Sequence, residues 1–251
     1  MSFEAYSKTF YEQQADGSLE SARVTVPILL RYFCIKSVID IGCGVGTWLR
    51  AFQENGISDI VGVDGPHIDT ATLMIEKDAF TAADLRTEFQ IPRRFDLAVS
   101  LEVAEHLAED NSARFVQRLT DAAPIVLFSA AIPGQPGTGH INMQWQDYWR
   151  AIFASFGYVA FDMIRPSVWG RRDVHYWYQQ NTIVYCADRA VTALSDLPSA
   201  SERLSLNVVH PELYEFQRRY SELHLRKAVT SIPRLTLKAL HNRLNLTKPR
   251  Y

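Results

Sequence analysis

Val38-Ile-Asp-Ile-Gly-Cys-Gly-Val-Gly-Thr-Trp48 joins a short β-branched run to three glycines at alternate positions. Ser37–Ile41 predicts a buried strand, and a helix is expected from about Thr47 to the Asn55-Gly56 pair, a composition that suits a helix C-terminus. Glycines between the two permit a tight turn and let a ligand approach the backbone without meeting a β-carbon. The helix N-terminus then offers unpaired N–H groups to an anionic group. The spacing is GxGxG rather than the GxGxxG of dinucleotide sites, and no Gly-Lys-Ser/Thr follows as in a phosphate P-loop.

Working outward, Ile60-Val-Gly-Val-Asp64 predicts a second buried strand. Asp64 ends it, 24 residues after Asp40, where an acidic side chain can accept both hydroxyls of a ribose. Further strands are expected at Phe95–Ser100, Pro124–Ser129, Tyr158–Met163 and Thr182–Cys186, with helices around Asn111–Thr120 and Trp145–Phe156. An earlier helix, Leu19 to Phe33, is expected to be capped by Ser18 and kinked or restarted at Pro27. Strands alternating with helices imply a mainly parallel sheet covered on both faces. The last two strands, with only a Trp/Tyr-rich loop between them, suggest a closing hairpin with one antiparallel strand.

The sequence resembles the class I S-adenosylmethionine-dependent methyltransferases over about Phe10 to Ala187. The resemblance rests on VIDIGCGVGTW, IVGVDG, Ala83-Asp84-Leu85 and FDLAVSLEVAEHL. It implies an α/β, Rossmann-like fold with a seven-stranded, mostly parallel sheet, helices on both faces and here a C-terminal helical extension. The domain organisation expected is an N-terminal helical cap (1–36), the core (37–187), and a linker with basic helices (188–251). It further implies S-adenosylmethionine as cofactor, with Gly42, Gly44 and Gly46 flanking the methionine part. Asp40 would orient the ammonium end and Asp64 hold the ribose. Asp84 with Leu85 would sit at the adenine edge, and Ser100 at a strand tip would face the sulfonium. An Asp before a helix is also an ordinary N-cap, which leaves Asp84 with two readings.

Three stretches bear on the acceptor. On a helix, Glu102, Glu105 and His106 share one face and suit a divalent ion, with His140 as a fourth ligand. Some members resembling this ExxEH pattern, the small-RNA 3′-end and ubiquinone-pathway O-methyltransferases, use it as a metal site; packing beside the cofactor is the alternative. Second, the Gly/Pro-rich loop after Phe128 leads to His140, Asn142, Gln144 and Trp145, a titratable group, two amides for hydroxyl recognition and an apolar plate. Third, Trp177 and its aromatic neighbours, with Arg171, Arg172 and His175, suit a sugar wall or a phosphate, or simply a hairpin. A hydroxyl acceptor needs a base; His140 is the first candidate and His106 the second. Ser100-Leu-Glu-Val stands where amide and adenine N-methylating members carry Asn/Asp-Pro-Pro-Tyr/Phe. That difference favours oxygen or a flexible amine. His67 reads as an exposed loop residue.

Charge divides the chain. Formal net charge is -2, but residues 223–251 carry seven basic side chains and no acid, which leaves a body of -9. An acidic body disfavours a nucleic-acid acceptor such as a 3′ hydroxyl, because a phosphate-tracking groove should be basic. A polar small molecule or saccharide is the expected partner. The tail, with Leu237, Leu240 and Leu244 on one stripe, suits an anionic membrane surface or a protein contact, including recruitment of a non-catalytic scaffold. Three cysteines without a CxxC suggest neither a disulfide framework nor a zinc knuckle. With no secretory leader and no membrane span in view, the expected location is cytoplasmic, with a membrane-peripheral alternative through the tail.

Overall fold

A computed structural model describes residues 8–87, 89–187 and 205–221. The basic tail after 221 and most of the linker lie outside the described residues, and so do the tail helix and its expected surface contacts. By contacts the chain divides into two units, 1–210 and 211–251. Within the second, residues 211–221 are helical.

The first unit holds a seven-stranded sheet. Its strands are β1 (Ser37–Ile41), β2 (Asp59–Asp64), β3 (Phe80–Ala82), β4 (Leu97–Leu101), β5 (Ile125–Ser129), β6 (Tyr158–Phe161) and β7 (Ile183–Ala187). Their spatial order is β3-β2-β1-β4-β5-β7-β6, and β7 runs antiparallel to both neighbours. The connections reverse direction between β1 and β4, which makes the crevice beyond their carboxyl ends the place for a ligand.

Alternation sorts each strand's side chains between two cores. Val38, Leu97, Val99, Leu127 and Val184 pack on one face, against Val26 and Leu29 of α1 (Lys8–Leu30) and Leu49 and Phe52 of α2 (Thr47–Glu54). Ile39, Ala98, Val126, Phe128 and Tyr185 pack on the other. There they meet Phe115 and Leu119 of α3 (Ser112–Ala122) and Trp149 and Phe153 of α4 (Gln146–Ser155). Phe153 stacks on Tyr185 at 3.8 Å, nearly parallel. Strands buried on both faces are why these segments read as near-continuous apolar runs.

Three local expectations are corrected. Ser18 is no cap: α1 begins earlier, and the buried Ser18 hydroxyl lies 3.0 Å from the Tyr178 hydroxyl. Pro27 sits within α1 on its exposed side, and the helix runs through it without a restart. The connection between β6 and β7 is not a plain loop but carries α5 (Arg165–Val168) and α6 (Tyr176–Asn181). β3 escaped the strand assignment because it is a three-residue edge strand with two exposed positions.

Candidate active site

The glycine turn after β1 is built for close approach. A β-carbon on Gly42, at φ +91°, would lie 2.3 Å from a methyl of Val103. On Gly44, at φ +55°, it would meet nothing within 4 Å, so this glycine faces open space. The Gly44 N–H donates to Asp64 Oδ2 at 2.6 Å and the Gly65 N–H to Oδ1 at 2.6 Å. Asp64 is drawn back upward in pKa by burial, against those two donors. Asp40 is buried at the end of the crevice, and burial with the Asp64 charge pushes its carboxyl well up. His67 is exposed, as expected, with Nε2 3.9 Å from Asp64 Oδ1. These positions fit an adenosine-bearing cation: ribose-accepting oxygens, a second carboxylate for an ammonium, and a wall without side chains.

Ser100, Asp84 and Leu85 are the remaining residues expected at the cofactor. Ser100 is wholly buried and donates its hydroxyl to the Ile41 carbonyl at 2.8 Å, tying β4 to β1. The residue at the strand tip is instead Glu102. Asp84 occupies an open turn, capping the Arg86 N–H and paired with the Arg86 guanidinium, which holds its carboxyl below the usual range. Leu85 packs at the edge of the core formed with α3 and α4.

Glu102 does not lie on an α-helix. Its backbone is left-handed at φ +57°, and only Ala104–His106 form a short 3₁₀ turn. Glu105, His106 and His140 each offer a ligand atom within 4.8 Å of the others, and Glu102 is outside this group. Glu105 is fully buried, and neither of its carboxylate oxygens finds a hydrogen-bond partner. Burial, then the Glu102 charge, pushes its carboxyl far up. His140 Nε2 stands 4.0 Å from Glu105 Oε1, and its Nδ1 is also buried without a partner. The two imidazoles meet edge to face at 5.0 Å. Burial lowers both, His106 to about 4, so both are neutral near pH 7.

The Gly/Pro-rich loop brings His140 there. Ile141 and Asn142 donate their N–H groups to the Glu105 carbonyl at 2.9 and 3.0 Å. The Asn142 amide, buried, donates to Ser112 Oγ and accepts from Gln144, so it anchors the loop. Trp145 is exposed and precedes α4. A β-carbon on Gly137 would fall 2.1 Å from the His140 ring, which therefore lies on bare backbone. Trp177 stacks on His175 at 4.1 Å, and Arg171 pairs with Asp173 at the surface.

Sequence reading missed a buried amide network. Gln135 Nε2 donates to Glu102 Oε2 at 2.6 Å, and Asn181 Nδ2 to Glu102 Oε1 at 3.1 Å. Gln180 Nε2 donates to Gln135 Oε1 and to Asn181 Oδ1, and Gln180 Oε1 accepts the His210 N–H. The signal was present: Gln179-Gln-Asn181 is a run of three amides immediately before a strand, and all three are buried.

A family model described as a methyltransferase domain matches residues 35–181. No curated protein matches the sequence. Among solved structures, the sugar N-methyltransferase KedS8 from Streptoalloteichus sp ATCC 53650 aligns with TM-score 0.51 and 18% identity, over 74% of this chain and 97% of its own. DesVI of Streptomyces venezuelae aligns with TM-score 0.50 and 17% identity, over 71% and 95%. TnmH aligns with TM-score 0.50 and 14% identity over 71% of this chain, which spans 57% of its length. The chain likewise spans 58% of LaPhzM. At these identities the likeness shows the fold.

Proposed function

Since the chain belongs to the methyltransferase-domain family and takes S-adenosylmethionine as methyl donor, we propose that it methylates an oxygen of a polar small molecule or saccharide, with His140 as general base. The observation that carries the reading is His140 itself: a partly buried, neutral imidazole whose Nδ1 finds no partner, on the loop beyond the carboxyl ends of the strands. When bound, the cofactor supplies an electrophilic methyl group on a sulfonium.

The chain's own residues do the rest. Asp64 and Asp40 orient the donor, and the Gly44 wall admits it. Alignment of donor and acceptor in a site closed to water supplies up to roughly 7–11 kcal/mol in ideal cases. A neutral His140 accepts the hydroxyl proton as the C–O bond forms, and Glu105, 4.0 Å from its ring, then faces an imidazolium. The absence of Lys and Arg from 42–46, 102–106, 130–145 and 175–182 supports a non-phosphorylated acceptor.

A second reading is favoured by the orphaned atoms. The Glu105 oxygens and His140 Nδ1 lack partners, and with His106 they form a carboxylate–imidazole set that suits a divalent ion. Such an ion would lower the pKa of an acceptor hydroxyl in place of a base. Calorimetry separates these. S-adenosylhomocysteine is expected to bind with micromolar affinity, and Asp64→Ala to weaken it at least tenfold; no binding by the wild type sinks the assignment. Mn²⁺ titration followed by electron paramagnetic resonance tests the metal, since uptake lost in His106→Gln supports it and no uptake removes it. Methyl transfer in EDTA, abolished by His140→Ala, is the outcome expected for the base.

A further inference from the structure

Residues 205–210 lie beyond the methyltransferase-domain match, which ends at 181, yet they are fastened to the loop that carries His140. That loop, 135–145, contains neither helix nor strand and includes Pro136, Gly137 and Gly139. Its course is therefore set by its attachments rather than by a backbone ladder of its own. The middle is held by the Ile141 and Asn142 N–H groups on the Glu105 carbonyl. The two ends are held by residues 205–210.

At the far end stands α4, whose N-cap residue, Trp145, makes no side-chain cap. The capping oxygen comes from elsewhere in the chain: Asn207 Oδ1 accepts the Asp147 N–H at 2.9 Å, one of the orphan donors of the first turn. The Asp147 carboxylate in turn accepts the Leu206 N–H at 3.0 Å and the Ser205 hydroxyl at 2.6 Å. Beside it, Gln146 Nε2 donates to the Val208 carbonyl at 3.2 Å. At the near end, Gln135 Oε1 accepts from Gln180 Nε2 at 3.2 Å, and Gln180 Oε1 accepts the His210 N–H at 2.7 Å. A closed circuit results, from Gln135 along the loop to Gln146, through 205–210 to Gln180 and back to Gln135. The segment that closes it is itself anchored. Leu206 and His210 are buried, and the Leu206 carbonyl accepts from Arg165 at 2.8 Å. Ser205 and Asn207 are exposed.

We propose that residues 205–210 are a strap that positions His140 by holding both ends of its loop, with Gln180 and Asp147 as positioning residues. The acceptor side of the site is then completed by a segment outside the methyltransferase-domain match. The inference rests on the reading of His140 as general base. The strap's bonds fall on Gln146, Asp147, Arg165 and Gln180, whereas Asp64 is held by the Gly44 and Gly65 N–H groups. Loosening the strap therefore frees the acceptor loop and leaves the donor side in place.

The test uses the full chain with S-adenosylhomocysteine bound. Hydrogen exchange is read by mass spectrometry, and the His140 ring signal by NMR, assigned through its loss in His140→Gln. Asn207→Ala removes the oxygen that caps α4, and Gln180→Met unlinks His210 from Gln135. Exchange across 135–145 is expected to rise at least roughly threefold in the first and tenfold in the second. The His140 signal is expected to move in both, with exchange in β4 unchanged and S-adenosylhomocysteine affinity within about twofold of wild type. Ser205→Ala is expected to loosen the loop as well, and Ser205→Thr, which keeps the hydroxyl, to leave it at the wild-type rate. If Gln180→Met does not fold, the exposed Asn207→Ala decides alone. Unchanged exchange in 135–145, an unmoved His140 signal, a rise shared equally by β4, or equal effects of the two Ser205 variants overturns the proposal. Failure of S-adenosylhomocysteine to bind the wild type fails the methyltransferase reading instead, and the same exchange on the free chain still decides the strap.

Discussion

The Val103 methyl stands 2.3 Å from the point where a β-carbon on Gly42 would be, so the turn after β4 is seated directly on the turn after β1. Two loops from neighbouring strands are thereby locked in register. Gly42→Ala should lose cofactor binding and destabilise the protein. The left-handed backbone contributes about 1–2 kcal/mol of that loss. Adding Val103→Ala should recover the steric part and leave the backbone part, which a double-mutant cycle by urea denaturation measures.

Asp40, proposed to orient the donor, opposes stability when ionised. Its folded pKa is raised, so the folded state holds a proton that the unfolded chain releases above about pH 3.9. The stability of the cofactor-free protein should therefore fall as pH rises from there toward the folded value. Asp40→Asn should raise the melting temperature at neutral pH, by a margin that grows with pH, while weakening S-adenosylhomocysteine at least tenfold. Scanning fluorimetry and calorimetry on the two proteins decide it.

Ser100 gives the converse case. Its hydroxyl is spent on the Ile41 carbonyl, so Ser100→Ala should cost about 1 kcal/mol of stability, or somewhat more for the orphaned carbonyl. Cofactor affinity should change less than twofold. A loss of affinity without a loss of stability would return Ser100 to the sulfonium.

Arg23 on α1 pairs bidentately with Glu54 on α2, at 2.8 Å for both contacts. The Arg23 hydrogen bond holds the Glu54 carboxyl down to about 2 from 4.5. A depressed folded pKa gives stability that is present above the unfolded value and lost as pH falls from 4.5 toward 2. The pair is partly exposed, so the effect should be small and screened by salt. Glu54→Gln should flatten the acid limb of the melting curve and leave its neutral part nearly unchanged.

Arg165 is buried and reaches Asp162, Gln180 and Leu206, which fixes residues 205–210 against the sheet's far edge. Arg165→Met should cost at least about 1.5–3 kcal/mol, because it removes charge-assisted bonds and strands two carbonyls. Protease cleavage near 205–210 should appear before cleavage elsewhere in the first unit.

Much of the fold was legible because its causes are local. Val38–Ile41 and the glycines needed only period, β-branching and turn chemistry, and Asp64 followed from its place at the next strand's end. β3 was not legible, since an exposed three-residue edge strand carries no apolar run. Among candidate site residues, His140 is brought to His106 and Glu105, 34 and 35 residues away in the chain. The helical premise for Glu102 fails because the turn seated on Gly42 imposes left-handed backbone.

The sequence by itself determined the strand, glycine turn, helix and acid on the next strand to which donor binding is assigned in the proposal, because these act through backbone and near neighbours. Only the tertiary structure brought together the residues proposed for the acceptor. Which carboxylate is clamped by amides depends on loops that meet after folding: Gln135, Asn181 and Glu102 lie 33 to 79 residues apart. Burial then shifts the carboxyls of Glu102 and Glu105 up and the imidazoles of His106 and His140 down, and burial is a property of the packed chain, not of any segment in it.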